Sequence, residues 1–430
     1  MKLKKVNLMN FRGIENLEIP FNGKSTIIFG VNGVGKSAIL RSIDLVYANI
    51  IARLTSSKKK LAQLEYDDIS YGKSEARIQI EFEFLDGNIM EYGRYISRGK
   101  GRTHSLRELK DLVDVFESRY MEKSYNDEDG NWVEVEDIKN MPIFVNYGVN
   151  RAVLDVPVRV YSKEQFTKLS AFDKAIESRI DFRTLFRWFR NQEDIENQEK
   201  ARTNRKYEDR NLSAVKRAML SMLDGFEDIH IERRPLTMQV KKDGRYLKIN
   251  QLSDGEKCTI ALFGDLARRM ALANPGLSNP LEGTGVVLID ELDLHMHTSW
   301  QRKVMRILKQ TFPNIQFIIT THSPQILGEL NDEYNLFYMV CSEGGLEVKS
   351  YNSFIGWDAN VILEEVMGTL SVNHEIKSLL NQMYNYIENK DYDNAEKIAD
   401  LLDEKSNGHV DGVAKARILI ARGRRNEKNN

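Results

Sequence analysis

The chain is 430 residues long, 41% hydrophobic and 29% charged, with a formal net charge of -1. This length allows two or three compact lobes of ordinary soluble composition, and the balanced charge leaves any contact with nucleic acid or anionic membrane to local patches. Two cysteines, Cys258 and Cys341, exclude a disulfide framework and, lacking CxxC partners, a zinc knuckle; they favour a reducing cytoplasm.

In chain order, residues 2–11 and 17–21 read as short strands, 25–29 as a buried strand and 36–54 as a helix. The first nineteen residues are too polar for a signal peptide, and no run approaches the roughly 18 apolar residues of a membrane span. Residues 76–84 and 89–96 alternate apolar and polar positions around Leu85-Asp86-Gly87-Asn88, a hairpin signal. A basic loop follows (Arg98, Lys100, Arg102, His104), then mixed helices, a turn over 127–131 and a buried strand over 141–147.

Residues 162–224 read as helical, broken by the charged, nearly non-aromatic stretch 191–211, which has the composition of a solvated arm or mobile loop. A second hairpin over 229–249 turns at Asp243-Gly244, and a helix starts near Ser253. The apolar run 285–289, a helix over 299–310 and the strand 315–320 complete an alternation that predicts parallel strands buried on both faces. After Tyr351 the chain is almost wholly helical and ends in a basic tail (Arg422, Arg424, Arg425). No heptad series runs for several turns. The expected division is 1–100, 101–228, 229–352 and 353–430.

Gly30-Val31-Asn32-Gly33-Val34-Gly35-Lys36-Ser37 fits G-x-x-x-x-G-K-[ST] at every position, between an apolar strand and a helix. Glycines at this spacing let backbone N–H groups converge on phosphate oxygens, and the helix N-terminus adds positive potential. Lys36 is placed for the β- and γ-phosphates and Ser37 for magnesium. Asp290 and Glu291 end the apolar strand 285–289: Asp290 is placed to hold the metal through water, Glu291 to act as general base or to position water. His322 follows the strand 315–320 and is placed to bond a γ-phosphate or the attacking water. His295 and His297 lack further ligands at metal spacing, so their segment reads as an interface loop.

Leu252-Ser253-Asp254-Gly255-Glu256-Lys257 is a helix start that Ser253 or Asp254 can cap, with Glu256 completing a capping box. The order of phosphate loop, this motif, strand-Asp-Glu and strand-Thr-His resembles the ABC-type ATPases, in the RecF/SMC/OLD-like branch of the AAA families. The resemblance implies an α/β ABC-type head. Its parts are a mixed central sheet, an antiparallel β subdomain, a helical insertion without a long coiled coil, and a helical C-terminal tail. It makes residues 252–257 the signature motif and Asp293 the D-loop. Arg12, in Asn10-Phe11-Arg12-Gly13, becomes a nucleotide contact, alongside Asn32, Gly33 and Gly35. It further implies ATP and Mg2+ as cofactors, and a homodimer or higher oligomer in which Ser253 and Gly255 face the γ-phosphate bound by a second subunit.

Tyr147 to Asp155, the segment from Asp181 to Arg190, and Asn279-Pro280-Leu281-Glu282-Gly283 are similar to the ATPase-subunit family of the Septu anti-phage system, PtuA, which works with an HNH nuclease. At the Q-loop position no Gln stands, and Asn150 is the candidate substitute. The tail lacks the Glu and Asp-x-Asp pattern of a Toprim nuclease, so the cutting subunit is expected to be a separate chain. Two functions stay open: an ATP-driven switch controlling a nuclease, with the tail as partner surface, and a RecF-like DNA-binding ATPase of repair. Basic residues at Arg98, Lys100, Arg102, Arg107 and Lys110 and the helix 182–190 could face DNA phosphates, but a solvated loop and a packed aromatic core are the commoner explanations. A transporter subunit fits less well, given the large insertion and the missing Gln. No membrane partner is expected.

Overall fold

The computed structural model describes every residue except 57–60, 100, 104–105, 122–124, 127–131, 134–138, 150–164, 204, 343–344, 370–372, 411 and 429–430. The chain forms two compact units, Met1–Gly356 and Trp357–Asn430.

Hydrophobic runs without alternation demand burial on both faces, and the first unit supplies it with a six-stranded mixed sheet. Its order is Gly345–Tyr351, Asn335–Ser342, Thr26–Gly30, Ile315–Thr321, Gly285–Ile289, Ile143–Tyr147. Five strands run parallel, and Gly345–Tyr351 pairs antiparallel at one edge. Every residue of Thr26–Gly30, Ile143–Tyr147, Gly285–Ile289 and Ile315–Thr321 is buried. At roughly 1.5–3 kcal/mol for each large aliphatic side chain removed from water, this core is the main source of stability. The register Ile289↔Tyr147 and Ile289↔Ile319 brings the carboxyl ends of these neighbours to one edge, the usual position of a ligand site in an α/β sheet.

The second sheet is antiparallel, in the order Ile14–Pro20, Lys2–Phe11, Glu75–Glu83, Ile89–Ser97, Gly101–Thr103. Glu75–Glu83 alternates buried and half-buried positions, with Arg77 exposed, as expected of a sheet packed mainly on one face, and its hairpin turns through Gly87 at φ 79°. The helix Lys36–Thr55 lies between the two sheets. Tyr47 stacks on Phe144 of the parallel sheet, ring centroids 3.7 Å apart, and meets Phe82 of the antiparallel sheet edge-on at 5.3 Å. Sixteen of its twenty residues are buried, which is why its sequence is apolar on more than one face.

Three findings differ from the expectations. Residues 191–202 are not an arm: the helix Phe182–Arg202 continues through them. Two of their carboxylates are paired inward, with Glu193 accepting from the Ile231 N–H and the Arg233 guanidinium, and Glu196 bonded to Lys200 and to the Asp209 N–H. Asp209 caps the next helix, Arg210–Leu220, by accepting from the Leu212 N–H at 2.7 Å. The second hairpin is a three-stranded sheet, Phe226–Arg233, Leu236–Lys242 and Arg245–Lys248, with a further turn at Arg234-Pro235. The edge pair Asn335–Ser342 and Gly345–Tyr351 was not foreseen, since Gly345–Tyr351 exposes most of its residues and carries no apolar run. The predicted turn over 127–131 lies outside the described residues, between the short paired strands Tyr125–Asn126 and Trp132–Val133.

The longest helix among the described residues has 21 residues, so no long coiled coil is present there. The second unit contains the helices His374–Glu388, Tyr392–Ser406 and Val413–Lys428, packed around Met383, Ala399, Leu402, Val413 and Ala416. Asp391 caps the second of these by accepting from the Asn394 N–H. No helix is long and apolar enough to cross a membrane among the described residues.

Candidate functional site

The site begins where the strand Thr26–Gly30 ends. Gly30 has φ 147°, and a Cβ there would sit 2.4 Å from the Met339 carbonyl oxygen, so only glycine lets the loop leave the sheet beside its neighbour. Gly33 and Gly35 take φ 77° and 106°, and Gly35 is the N-cap residue of Lys36–Thr55, a helix start with no side-chain cap. An uncapped N-terminus presents orphan N–H groups and the positive end of the helix dipole to an anion. Lys36 is buried, and its Nζ donates to the Gly30 and Val31 carbonyls at 3.0 and 2.9 Å, so the loop curls around its own lysine. Burial lowers the pKa of this ammonium, opposed by the charges of Glu291, Asp290 and Asp293. Asn32, Gly33 and Ser37 are exposed around it.

Two adjacent strands supply the carboxylates. Asp290 extends the parallel ladder by donating its N–H to the Tyr147 carbonyl at 2.8 Å. Its Oδ1 accepts from the Thr320 hydroxyl at 2.5 Å, and the same hydroxyl accepts the Glu291 N–H at 2.8 Å. Glu291 sits at φ 48°, an uncommon conformation for a residue with a side chain, costing on the order of 1–3 kcal/mol and stable only where neighbours enforce it. Asp293 accepts from the Thr321 hydroxyl at 2.6 Å and from the His322 N–H at 3.3 Å. His322 is part-buried; burial and then the Lys36 charge lower its pKa, against Asp293, Glu291 and Asp290, so it is held toward the neutral imidazole. Lys36, Asp290, Glu291, Asp293 and His322 therefore converge on one electrostatic site.

The metal chemistry agrees with the donor set. No group of three or more His, Cys, Asp or Glu side chains forms a closed cage among the described residues, His295 and His297 included. An exposed Ser37 hydroxyl and one strand-end carboxylate suit magnesium, which keeps waters and takes its remaining ligands from phosphates.

The signature segment is built differently. Ser253 is the N-cap of the helix Asp254–Ala273, so of the two candidate caps it is the serine that serves. Its hydroxyl donates to Glu256 Oε2 at 2.8 Å and accepts from the Glu256 N–H at 3.3 Å, while its own N–H donates to the same carboxylate. Burial acts to raise the Glu256 carboxyl, but Lys242 at 2.6 Å and the Ser253 bonds outweigh it and hold it ionised. Gly255 lies against the turn that follows Glu291: a Cβ there would be 2.5 Å from the His295 carbonyl oxygen. Ser253 remains exposed.

Arg12 is held by Asp68. Its Nε donates to Asp68 Oδ1 at 2.9 Å and its N–H to the Asp68 carbonyl, at φ 55°. Ile14, two residues later, does lie beside Gly35. The candidate Q-loop residue Asn150 lies outside the described residues, as do Lys100 and His104. Phe186, Trp188 and Phe189 are buried, so the aromatic part of the basic helix packs the core rather than offering a stacking surface. The sequence offers Thr320, Thr321 and Tyr147 only as members of motifs; the bonds by which they hold Asp290, Glu291 and Asp293 emerge only in the fold.

A family described as "AAA domain, putative AbiEii toxin, Type IV TA system" matches residues 25–328. The chain is 29% identical to the Retron Ec83 probable ATPase of Escherichia coli, over 85% of this chain and 76% of that protein. It is 24% identical to the Septu protein PtuA of Bacillus thuringiensis, over 85% of this chain and 84% of that one. A DNA replication and repair protein RecF from Clostridioides difficile is 35% identical but over only 17% of this chain and 20% of its own length.

Proposed function

The chain belongs to the AAA-domain family that matches residues 25–328, and on that premise we propose that it is a cytoplasmic ATP-hydrolysing switch. In this proposal it closes as a homodimer around ATP and thereby controls a separate nuclease, as a Septu-type ATPase would. One observation carries it: the groups that bind and cleave a triphosphate converge within one chain, whereas Ser253, at the start of the signature helix, is exposed and bonded only to its own cap. A site with its γ-phosphate clamp left facing outward fits an isologous two-fold interface, in which each subunit completes the other.

The chemistry follows from the placed residues. The phosphate loop and Lys36 neutralise the β- and γ-phosphates; magnesium, when bound, withdraws charge from the same oxygens. Asp290, fixed by Thr320, and Ser37 would hold that ion. Glu291 takes the attacking water's proton or aligns it as the water attacks the γ-phosphorus and ADP leaves. His322, held neutral, accepts or donates a hydrogen bond at the γ-phosphate. Ser253 of the second subunit, with its helix N-terminus, stabilises the charge that builds on the transferred group. The helical unit after Gly356 is the proposed docking surface for the nuclease, HNH by the Septu resemblance. The competing RecF-like assignment is the weaker one, because that similarity spans at most a quarter of the chain among the RecF proteins compared and the basic helix has no free aromatic face.

Glu291→Gln tests the reading. This variant should bind ATP, turn it over ~100-fold more slowly or worse, and accumulate as a dimer in light scattering. Wild-type turnover would remove Glu291 from its role, and an ATP-loaded monomer would remove the closed dimer.

A further inference from the structure

Tyr147 ends the strand Ile143–Tyr147 and makes two bonds in different directions. Its carbonyl accepts the N–H of Asp290, the residue assigned to the metal, at 2.8 Å. Its hydroxyl donates to Asp265 Oδ2 at 2.9 Å. Asp265 belongs to the signature helix Asp254–Ala273, twelve residues beyond Ser253, so a stiff rod of about 18 Å separates them. Asp265 is also held by Arg268 Nη2 at 2.8 Å and Arg269 Nε at 2.7 Å, and Arg269 Nη1 donates to the Ala171 carbonyl at 2.6 Å. The phenol, the carboxylate and both guanidiniums are 0% exposed.

Stability alone does not account for this cluster. Two cations face one anion in the interior, and Arg268 Nε and Nη1 are buried without a hydrogen-bond partner among the described residues. Apolar side chains of similar volume commonly serve a core as well or better. A phenylalanine would fill the Tyr147 position equally well, leaving the hydroxyl to be explained.

We propose that Tyr147 is a positioning residue: its two bonds couple the occupancy of a subunit's own nucleotide site, felt at Asp290, to the orientation of the signature helix that serves the other subunit's site. The inference rests on the ATP-closed dimer proposed above. A change in what Asp290 holds would pass through the Tyr147 main chain to its hydroxyl, and from there to the Asp265–Arg269 pair. Because the helix is rigid over that length, a small change at Asp265 re-aims Ser253. Only a nucleotide-filled subunit then offers a correctly set signature helix to its partner.

The test is Tyr147→Phe, which keeps the ring and the carbonyl bonded to Asp290 and removes the hydroxyl alone. Each protein is compared in the slow-turnover Glu291→Gln background for dimerisation and in the native background for kinetics. The expected result is ATP binding within about twofold of the parent, ATP-induced dimerisation weakened about tenfold, and kcat lowered with KM for ATP unchanged. A purely structural hydroxyl would lower the melting temperature and leave that split unmoved, which overturns the proposal. Arg268→Met serves as a second variant, since it removes the poorly satisfied guanidinium but leaves Tyr147–Asp265–Arg269 in place. It should retain coupling, and loss of coupling there as well would mean general packing and not a relay. If the parent chain stays monomeric with ATP, the dimer itself is refuted; if the parent dimerises and Tyr147→Phe matches it, only the coupling falls.

Discussion

Two helices in this chain start after glycine-rich or polar turns, and their N-termini are completed in opposite ways. Lys36–Thr55 has Gly35 at its N-cap and no side chain bonded to its first turn. Asp254–Ala273 has Ser253 and Glu256 closed on each other in a capping box. The first end is arranged to receive an anion, with Lys36 folded into the loop and three carboxylates facing it. The second is already satisfied, so a phosphate can claim the Ser253 hydroxyl only by drawing it from Glu256. A serine cap contributes about 1 kcal/mol, a cost small enough for a triphosphate to meet and large enough to keep the helix intact in a free subunit. In the proposed dimer one end is a site, and the other is a stable helix that would join a site on assembly.

The largest effect is expected at the first end. Lys36→Ala should weaken ATP binding ~100-fold or more, because it removes the one buried cation from the phosphate loop, and calorimetric titration with ATP would show it. If binding survived, the phosphates would lie elsewhere. At the second end, Ser253→Arg should leave ATP affinity within about twofold while hydrolysis falls ~100-fold, because only the transition-state clamp is lost. Equal losses of binding and turnover would place Ser253 in its own chain's site and erase the distinction.

A smaller effect separates the two helices by pH. Asp44, 2% exposed in Lys36–Thr55, has its pKa raised by burial to about 6, with Asn146 and Arg41 opposing. A carboxyl whose folded pKa lies above its unfolded value favours the fold most fully below the unfolded pKa, near 4, and that favour is lost as pH rises through about 6. Asp44→Asn should therefore match the wild type near pH 4 and become the more stable protein above pH 6, by about 1–3 kcal/mol in denaturant unfolding. A constant difference across that range would mean that the folded and unfolded chains release the Asp44 proton at the same pH, so that burial does not raise its pKa.

Much of the nucleotide pole is legible in the sequence because its signals are local. The phosphate loop, the apolar strand before Asp290 and the capping box at Ser253 each announce themselves within ten residues. What escaped depends on partners far along the chain. Glu193 and Glu196 look like part of a solvated charge run until Ile231, Arg233 and Asp209 are placed beside them. Tyr147 and Asp265 are 118 residues apart, and nothing around either suggests the other. Arg12 shows the reverse: a motif position is readable, but the Asp68 that holds its guanidinium comes from another segment.

In the proposed dimer each ATP is finished by the other subunit's signature helix, and mixing two inactive proteins tests this. Glu291→Gln binds ATP and keeps Ser253 but cannot activate water at its own loop; Ser253→Arg keeps the loop and Glu291 but lacks the clamp. In a two-fold dimer, their mixed pair contains one intact composite site, so random exchange should restore about a quarter of the wild-type ATPase rate per dimer. No recovery, from variants shown to exchange subunits, would contradict a site shared between chains.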